Sequence, residues 1–198
     1  MRIGFLGGTF DPVHYGHLRL AEEAREAMGL QQVLFIPAFV SPFRTDESLS
    51  EPAHRLQMLR LATRDNPYFA VSEVEIARGG VSYTIETVHA LRAQYPETEL
   101  YLIIGADALG GFMGWRCPEQ IARACTLLAG VRPDYDLQAA MHTLSETVRP
   151  RVRPIPTTPL SISAREIRQR VRAGRSIHYL TPPDVIEYIH RHQLYLEP

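Results

Sequence analysis

The sequence predicts an α/β protein built on a doubly wound parallel sheet, with a small helical appendage at its C-terminus. Three observations carry that expectation. Short apolar runs recur along the chain, most of them closed by glycine or proline; segments of helical periodicity lie between them; and after Pro159 apolar residues follow only helical spacing. Strands that are apolar at nearly every residue are buried on both faces, as parallel strands are when crossover helices cover them.

The first strand is Ile3 to Leu6, emptying at Gly7-Gly8 into a turn, and helical spacing begins at Leu18, Leu20, Ala21, Ala24 and Met28. A second strand runs from Val33 to Pro37. There follow a helix near 53–62, a short strand near Phe69 to Val71, a helix from about Thr84 to Ala93, and a strand from Leu100 to Ile104 closed by Gly105. Ala124 to Ala129 supplies a fifth strand and Arg151 to Ile155 a sixth, with residues 133–150 between them reading as a helix flanked by prolines. Ile162, Ile167, Val171, Val185, Tyr188 and Ile189 then mark the C-terminal helices. No composition shift suggests a domain boundary, so residues 1–158 read as the core and 159–198 as a helical segment of the same domain.

The length of 198 residues suits one domain, and 45% apolar content suffices for an ordinary core. All 21 basic residues are arginine; there is no lysine. A guanidinium does not act as a neutral amine nucleophile, so lysine Schiff bases, a pyridoxal-phosphate anchor, a lysyl-nucleotide intermediate and a Walker-type lysine are excluded. A formal charge of −1 gives no general drive toward nucleic acid or an anionic membrane. Eight arginines fall between Arg149 and Arg175 without interleaved aromatics, which fits phosphate contacts and a solvated helix face better than nucleic-acid binding. Cys117 and Cys125 match neither a redox pair nor a zinc knuckle, and read as structural thiols in a reducing compartment. The apolar N-terminal run is too short for a signal peptide, and none elsewhere reaches membrane length, so a cytoplasmic location is expected; a homo-oligomer is compatible with the sequence.

Chemistry concentrates between the first strand and first helix, in Gly7-Gly8-Thr9-Phe10-Asp11-Pro12-Val13-His14-Tyr15-Gly16-His17. Open parallel sheets bind ligands at the carboxyl ends of their strands, glycine lets the backbone approach an anion, and a helix N-terminus offers free N–H groups. The spacing is neither the dinucleotide fingerprint nor the Walker loop. His14 and His17, three apart, admit three readings: a metal pair that lacks a nearby third ligand, ordinary capping or core histidines, or donors that stabilise transferring phosphate as cation or neutral N–H. The third accounts best for a pair beside a glycine turn.

The same eleven residues resemble the signature of the His-x-Gly-His nucleotidyltransferases. Over most of the chain the resemblance is closest to the bacterial nicotinate-nucleotide adenylyltransferases, which implies a Rossmann-like fold, ATP and nicotinate mononucleotide as partners, and Mg²⁺ bound mainly through the ATP phosphates with no dedicated metal ligands. Ile162-Ser163-Ala164-Arg165-Glu166-Ile167-Arg168 resembles the family's second signature, although alanine and arginine replace its second serine and its threonine. By residue pattern alone Ser163 and Glu166 also make a capping box.

The resemblance implies catalytic roles for His14, His17 and Arg168, and ATP contacts from Gly8, Thr9, Phe10, His17, Gly105, Asp107, Ile162, Ser163 and Arg168. For the mononucleotide it implies Arg44, Ser82, Tyr83, Thr84, Trp115 and Arg132, with the Ser82-Tyr83-Thr84 stretch holding the nicotinate carboxylate and Trp115 stacking on the pyridine ring. Ser41-Pro42-Phe43-Arg44 stands where the family has Pro-Pro-His-Lys. The alternatives are adenylyl transfer to nicotinamide mononucleotide or phosphopantetheine, or a module that binds nucleotide without catalysis.

Overall fold

The computed structural model describes residues 1–43, 49–131 and 135–196. Six strands, β1 (Arg2–Gly8), β2 (Gln32–Pro37), β3 (Phe69–Val71), β4 (Glu99–Gly105), β5 (Thr126–Val131) and β6 (Val152–Pro156), form one sheet in the order β3-β2-β1-β4-β5-β6. Every pairing is parallel. The strand order therefore reverses between β1 and β4, the place where a doubly wound sheet opens a crevice at its carboxyl edge.

Alternate strand residues enter opposite cores. Leu34 and Ile36 of β2 belong to one apolar cluster with Phe5, Leu102 and Leu127, while Val33 and Phe35 belong to the other with Leu6, Ile103 and Leu128. Period-two side chains buried on both faces require helices on both faces. The first face is covered by α4 (Thr84–Gln94) and α6 (Pro118–Ala124), and the second by α1 (Tyr15–Met28), α2 (Pro52–Thr63), α8 (Ala164–Arg172) and α9 (Pro183–Arg191). Ile167, Val171, Ile177, Val185, Ile186 and Ile189 are buried in that second cluster beside Leu6 and Phe10, so the C-terminal segment shares the core beneath the first loop.

Several elements differ from the sequence expectation. Gly7 and Gly8 continue β1, and the turn comes after them. The fifth strand starts at Thr126 because residues 118–124 form α6, with Pro118 in the first turn where its missing N–H costs nothing. Where the sequence suggested one helix over 133–150, the described residues from 135 on form the six-residue α7 (Leu137–His142) and, at the far end, a 3₁₀ turn at Arg149–Arg151. The helices α3 (Val74–Arg78) and α5 (Ala106–Gly110), like α6, have five to seven residues. Elements of that length complete too few turns to show a period.

Several arginines serve as clamps on main-chain carbonyls. Arg92 donates to the carbonyls of Thr98 and Ala124, Arg149 to those of Met141 and Leu144, and Arg151 to that of Ala122. Much of the 149–175 cluster is thus structural. Both cysteines are free; Cys117 is exposed, while burial pushes the Cys125 thiol up to about 12.

Candidate active site

A cleft of about 450 Å³ lies across the carboxyl ends of β1 and β4, at the strand-order reversal. Gly7, Gly8 and Thr9 bring β1 to its edge, and α1 begins beside it with His14 as N-cap in extended conformation. His17 lies three residues on. Its Nδ1 accepts the His14 backbone N–H at 3.2 Å, which ties off one of the donors at the helix start. The two imidazoles stack, with centroids 3.6 Å apart and planes 24° apart, and Phe10 meets His17 edge-on at 5.0 Å.

The intervening glycine has a steric reason. A Cβ at Gly16 would stand 3.0 Å from Nδ1 and 3.1 Å from Cε1 of His14, so any side chain there would push the ring out of place. Nearly parallel stacked rings direct their nitrogens side by side and do not converge them on one ion. Among the described residues no group of three or more His, Cys, Asp or Glu is arranged to hold a metal. Burial lowers the pKa of His14 to about 4, and its Nδ1 is a buried atom without a hydrogen-bond partner. His14 is therefore neutral near pH 7, which decides between the two charge states that the sequence left open for it.

A polar network fixes the loop that carries these histidines. Asp11 is 1% exposed; its carboxylate accepts the Tyr195 hydroxyl at 2.6 Å and the Ser50 N–H at 3.1 Å, and its carbonyl accepts from Arg168 at 2.8 Å. The buried Thr181 donates its hydroxyl to the Val13 carbonyl at 2.7 Å. Beneath the loop the Arg55 guanidinium, 2% exposed, donates to the carbonyls of Thr9, Ala38, Phe39 and Ser50. Burying a guanidinium is tolerable only when its N–H groups are matched in this way.

One wall of the cleft carries Gly105 at the end of β4, Asp107 in α5, and Tyr135 between β5 and α7; the Tyr135 hydroxyl donates to the Ala106 carbonyl at 2.8 Å. Nearby, Ile162 and Thr158 border it. Glu23 of α1 accepts the Thr158 N–H at 3.1 Å and its hydroxyl at 2.6 Å, and also bonds Arg19. Burial works against ionisation of Glu23, but these donors outweigh it and hold the carboxyl below its usual range.

The other end is built from different material. The Ser82 hydroxyl accepts the Phe39 N–H at 2.9 Å and so ties the segment after β2 to the start of α4. Thr84 is the first residue of α4, whose N-cap is Tyr83 without a side-chain cap, so the first N–H groups of the helix face the cleft end unmatched by the helix itself. Thr87 donates to the buried carboxylate of Glu75 at the same end. Trp115 packs against the buried Phe112 at 5.1 Å and against Phe43 at 5.8 Å, both rings tilted to the indole.

Of the residues singled out in the sequence, Gly8, Thr9, His14, His17, Gly105 and Asp107 line this one cleft, as do Ile162, Ser82, Thr84 and Trp115. Four stand off from it. Phe10 is a buried anchor under His17; Tyr83 carries the Arg116 guanidinium over its ring at 4.6 Å; the Ser163 hydroxyl accepts the Glu166 N–H at 3.1 Å as the cap of α8; Arg168 reaches the Asp11 carbonyl. Arg44 and Arg132 lie outside the described residues. Sequence reasoning missed Arg55, Glu23, Glu75, Tyr135 and Tyr195. One signal was present for Arg55, which occupies an i, i+3, i+4 stripe with the buried Met58 and Leu59.

The chain matches the family model described as cytidylyltransferase-like over residues 5–170. A protein of Roseiflexus named "Probable nicotinate-nucleotide adenylyltransferase" is 45% identical, covering 98% of this chain and 97% of the relative, and one of Moorella thermoacetica with the same name is 42% identical, covering 98% and 91%. Among solved structures, the nicotinic acid mononucleotide adenylyltransferase of Plasmodium falciparum complexed with NaAD superposes with a TM-score of 0.81 at 19% identity, covering 98% of this chain and 97% of that one. At that identity the superposition speaks for the fold. With the cleft at the strand-order reversal, the family match defines a nucleotidyltransferase. Its relatives narrow the class further: the chain belongs to the cytidylyltransferase-like family and, within it, to the nicotinate-nucleotide adenylyltransferases.

Proposed function

We propose that this protein transfers the AMP moiety of ATP to nicotinate mononucleotide, giving deamido-NAD and pyrophosphate, in the cytoplasm. The observation that carries the reading is a single cleft lined by the stacked histidine pair, by Gly105 and Asp107, and by Ser82, Thr84 and Trp115, so that phosphate donors, a wall for the adenosine and a site for the acceptor's ring share one cavity. An oxygen of the mononucleotide 5′-phosphate attacks the α-phosphorus of ATP; that P–O bond forms as the α–β bridging P–O bond breaks, and pyrophosphate departs with the electron pair. No covalent enzyme intermediate is needed, in keeping with a chain without lysine.

Catalysis then consists of aligning two anions and offsetting their charge. His14, neutral, and His17 donate to the α-phosphate and to the developing pyrophosphate, with Gly8 and Thr9 supporting the same phosphates. Ser163, the cap of α8 next to the cleft-lining Ile162, and Arg168, anchored on the Asp11 carbonyl of the histidine loop, serve the outer phosphates from just beyond the cleft wall, and Arg44 and Arg132 serve those nearer the mononucleotide. Gly105 and Asp107 take the adenosine, with Ile162 beside it. The N-terminus of α4 at Tyr83 and Thr84 favours an anionic carboxylate over an amide, which selects nicotinate. ATP enters as its Mg²⁺ complex, the ion supplying charge neutralisation on the phosphates. Asp11 is no ligand for it, since both carboxylate oxygens are engaged by Tyr195 and Ser50.

The test is pyrophosphate release from MgATP with nicotinate mononucleotide, nicotinamide mononucleotide and phosphopantetheine in parallel. Release is expected to be fastest with nicotinate mononucleotide. Release with none of the three would leave a nucleotide-binding module instead of an enzyme.

A further inference from the structure

Between β6 and α8 the chain runs from Thr157 to Ser163 without regular secondary structure, and Thr157, Thr158, Leu160 and Ile162 line the cleft. This segment lies along one face of α1. Its start packs at Leu20: a Cβ at Gly130 would collide with Leu20 and stand 3.0 Å from Thr157. Its end comes to Gly16, where a Cβ would stand 3.8 Å from the Ile162 carbonyl. Gly16, Leu20 and Glu23 are spaced i, i+4, i+7 and so form a single stripe of the helix. The N–H and hydroxyl of Thr157 both reach the Val131 carbonyl at 3.1 Å, and one residue on Glu23 takes over. Its carboxylate accepts the Thr158 hydroxyl at 2.6 Å and the Thr158 N–H at 3.1 Å, across 135 positions of sequence. Arg19 holds the same carboxylate at 2.8 Å, and the Glu23 side chain is 11% exposed.

We propose that Glu23 is a positioning residue for ATP, fixing the 157–163 segment along α1 so that Ile162 and Ser163 stand ready for the adenosine and the outer phosphates. The inference rests on the function proposed above and adds a residue to which that function gives no role. A carboxylate beside the site of a polyanion repels its ligand unless its charge is engaged, and Thr158 and Arg19 engage it here. Glu23 also stands about 9 Å along the helix axis from His17, at the start of the segment and away from the reacting phosphates. Released from Glu23, the segment would sample many conformations of which few accept ATP, and apparent affinity falls with the competent fraction. Bound ATP orders the segment in either case, so the loss appears in Kd and KM while kcat is spared.

Glu23→Ala is expected to raise Kd and KM for MgATP about tenfold, as for a competent fraction cut to about one tenth, with kcat and the mononucleotide KM within about twofold of wild type. Glu23→Gln keeps an accepting oxygen for Thr158 and should recover most of the loss. Thr158→Val removes the hydroxyl at nearly constant shape and should raise the ATP values about threefold; adding it to Glu23→Ala should change little further, because both act on one contact. A Glu23 that serves only the fold would lower the urea midpoint and leave the MgATP Kd unchanged in the folded variant. That result, equal rises for both substrates, or additive effects of the two substitutions would overturn the proposal. Wild-type protein that binds MgATP but releases no pyrophosphate would overturn the proposed function, and the MgATP Kd series would still decide the role of Glu23. Wild-type protein that binds no MgATP would overturn both.

Discussion

The two ends of the cleft are held by different forces. At the histidine end, five segments distant in sequence converge through buried polar contacts: Asp11 receives Tyr195, Ser50 and Arg168, and Arg55 joins the carbonyls of Thr9, Ala38, Phe39 and Ser50. At the aromatic end the described contacts of Trp115 are ring against ring, with the buried Phe112 and with a largely exposed Phe43. Charge stabilisation works when donors are fixed before the reaction, whereas recognition of a flat ring needs only matching surfaces. Under the proposed function, the histidine end would serve preorganisation and the aromatic end selection.

This contrast can be broken or sharpened experimentally. The largest effect should come from His17→Ala, which on the proposed mechanism removes a donor from the reacting phosphates and is expected to cut turnover by about 10² to 10³ with little change in the mononucleotide Kd. Turnover near that of the wild type would place charge stabilisation elsewhere. Arg55→Met should destabilise the fold by about 3 kcal/mol or more, because several carbonyls lose their donors together, and Arg55→Lys by less. Urea denaturation compares the two, and equal midpoints for all three proteins would show that the buried guanidinium does not hold the loop.

His14 makes the same point through pH. Its folded pKa of about 4 lies below the unfolded value of 6.5, so the unfolded chain binds a proton more readily. Its contribution is complete above about pH 6.5 and is lost as pH falls toward 4, by about 3 kcal/mol in all. His14→Gln should flatten that part of the stability curve, and parallel curves for variant and wild type would contradict it. Tyr195→Phe is the smallest change at this end, expected to cost about 2 kcal/mol through one hydrogen bond to a buried carboxylate and to raise KM for ATP while sparing the mononucleotide. A variant that shifts both substrates equally would mean the two ends are coupled.

Much of the histidine end was legible in the sequence because its parts are local. His14, Gly16 and His17 lie within four residues, and Ser163 with Glu166 announces the cap of α8 that the structure contains. The residues that fix this end were not legible. Tyr195 reaches Asp11 across 184 positions and Thr181 reaches Val13 across 168, and no pattern along the chain encodes such pairs. The aromatic end was read only in part: Trp115 stood out as a lone indole in a glycine-rich stretch, while Phe43, the ring packed against it at 5.8 Å, was placed there only by the fold.

By itself the sequence determined the parallel sheet, since apolar runs separated by helical spacing can bury both faces in few other ways; the absence of lysine excluded several chemistries, and the resemblance of the motif after β1 pointed to the class. Tertiary structure alone decided that His14 is neutral, that Arg168 and Ser163 stand off from the cleft behind hydrogen bonds of their own, and that Arg55 is buried. The physical reason is the range of the interactions. Secondary structure and capping follow from neighbours a few residues away, whereas desolvation and buried hydrogen bonds depend on what the rest of the chain brings to the same place.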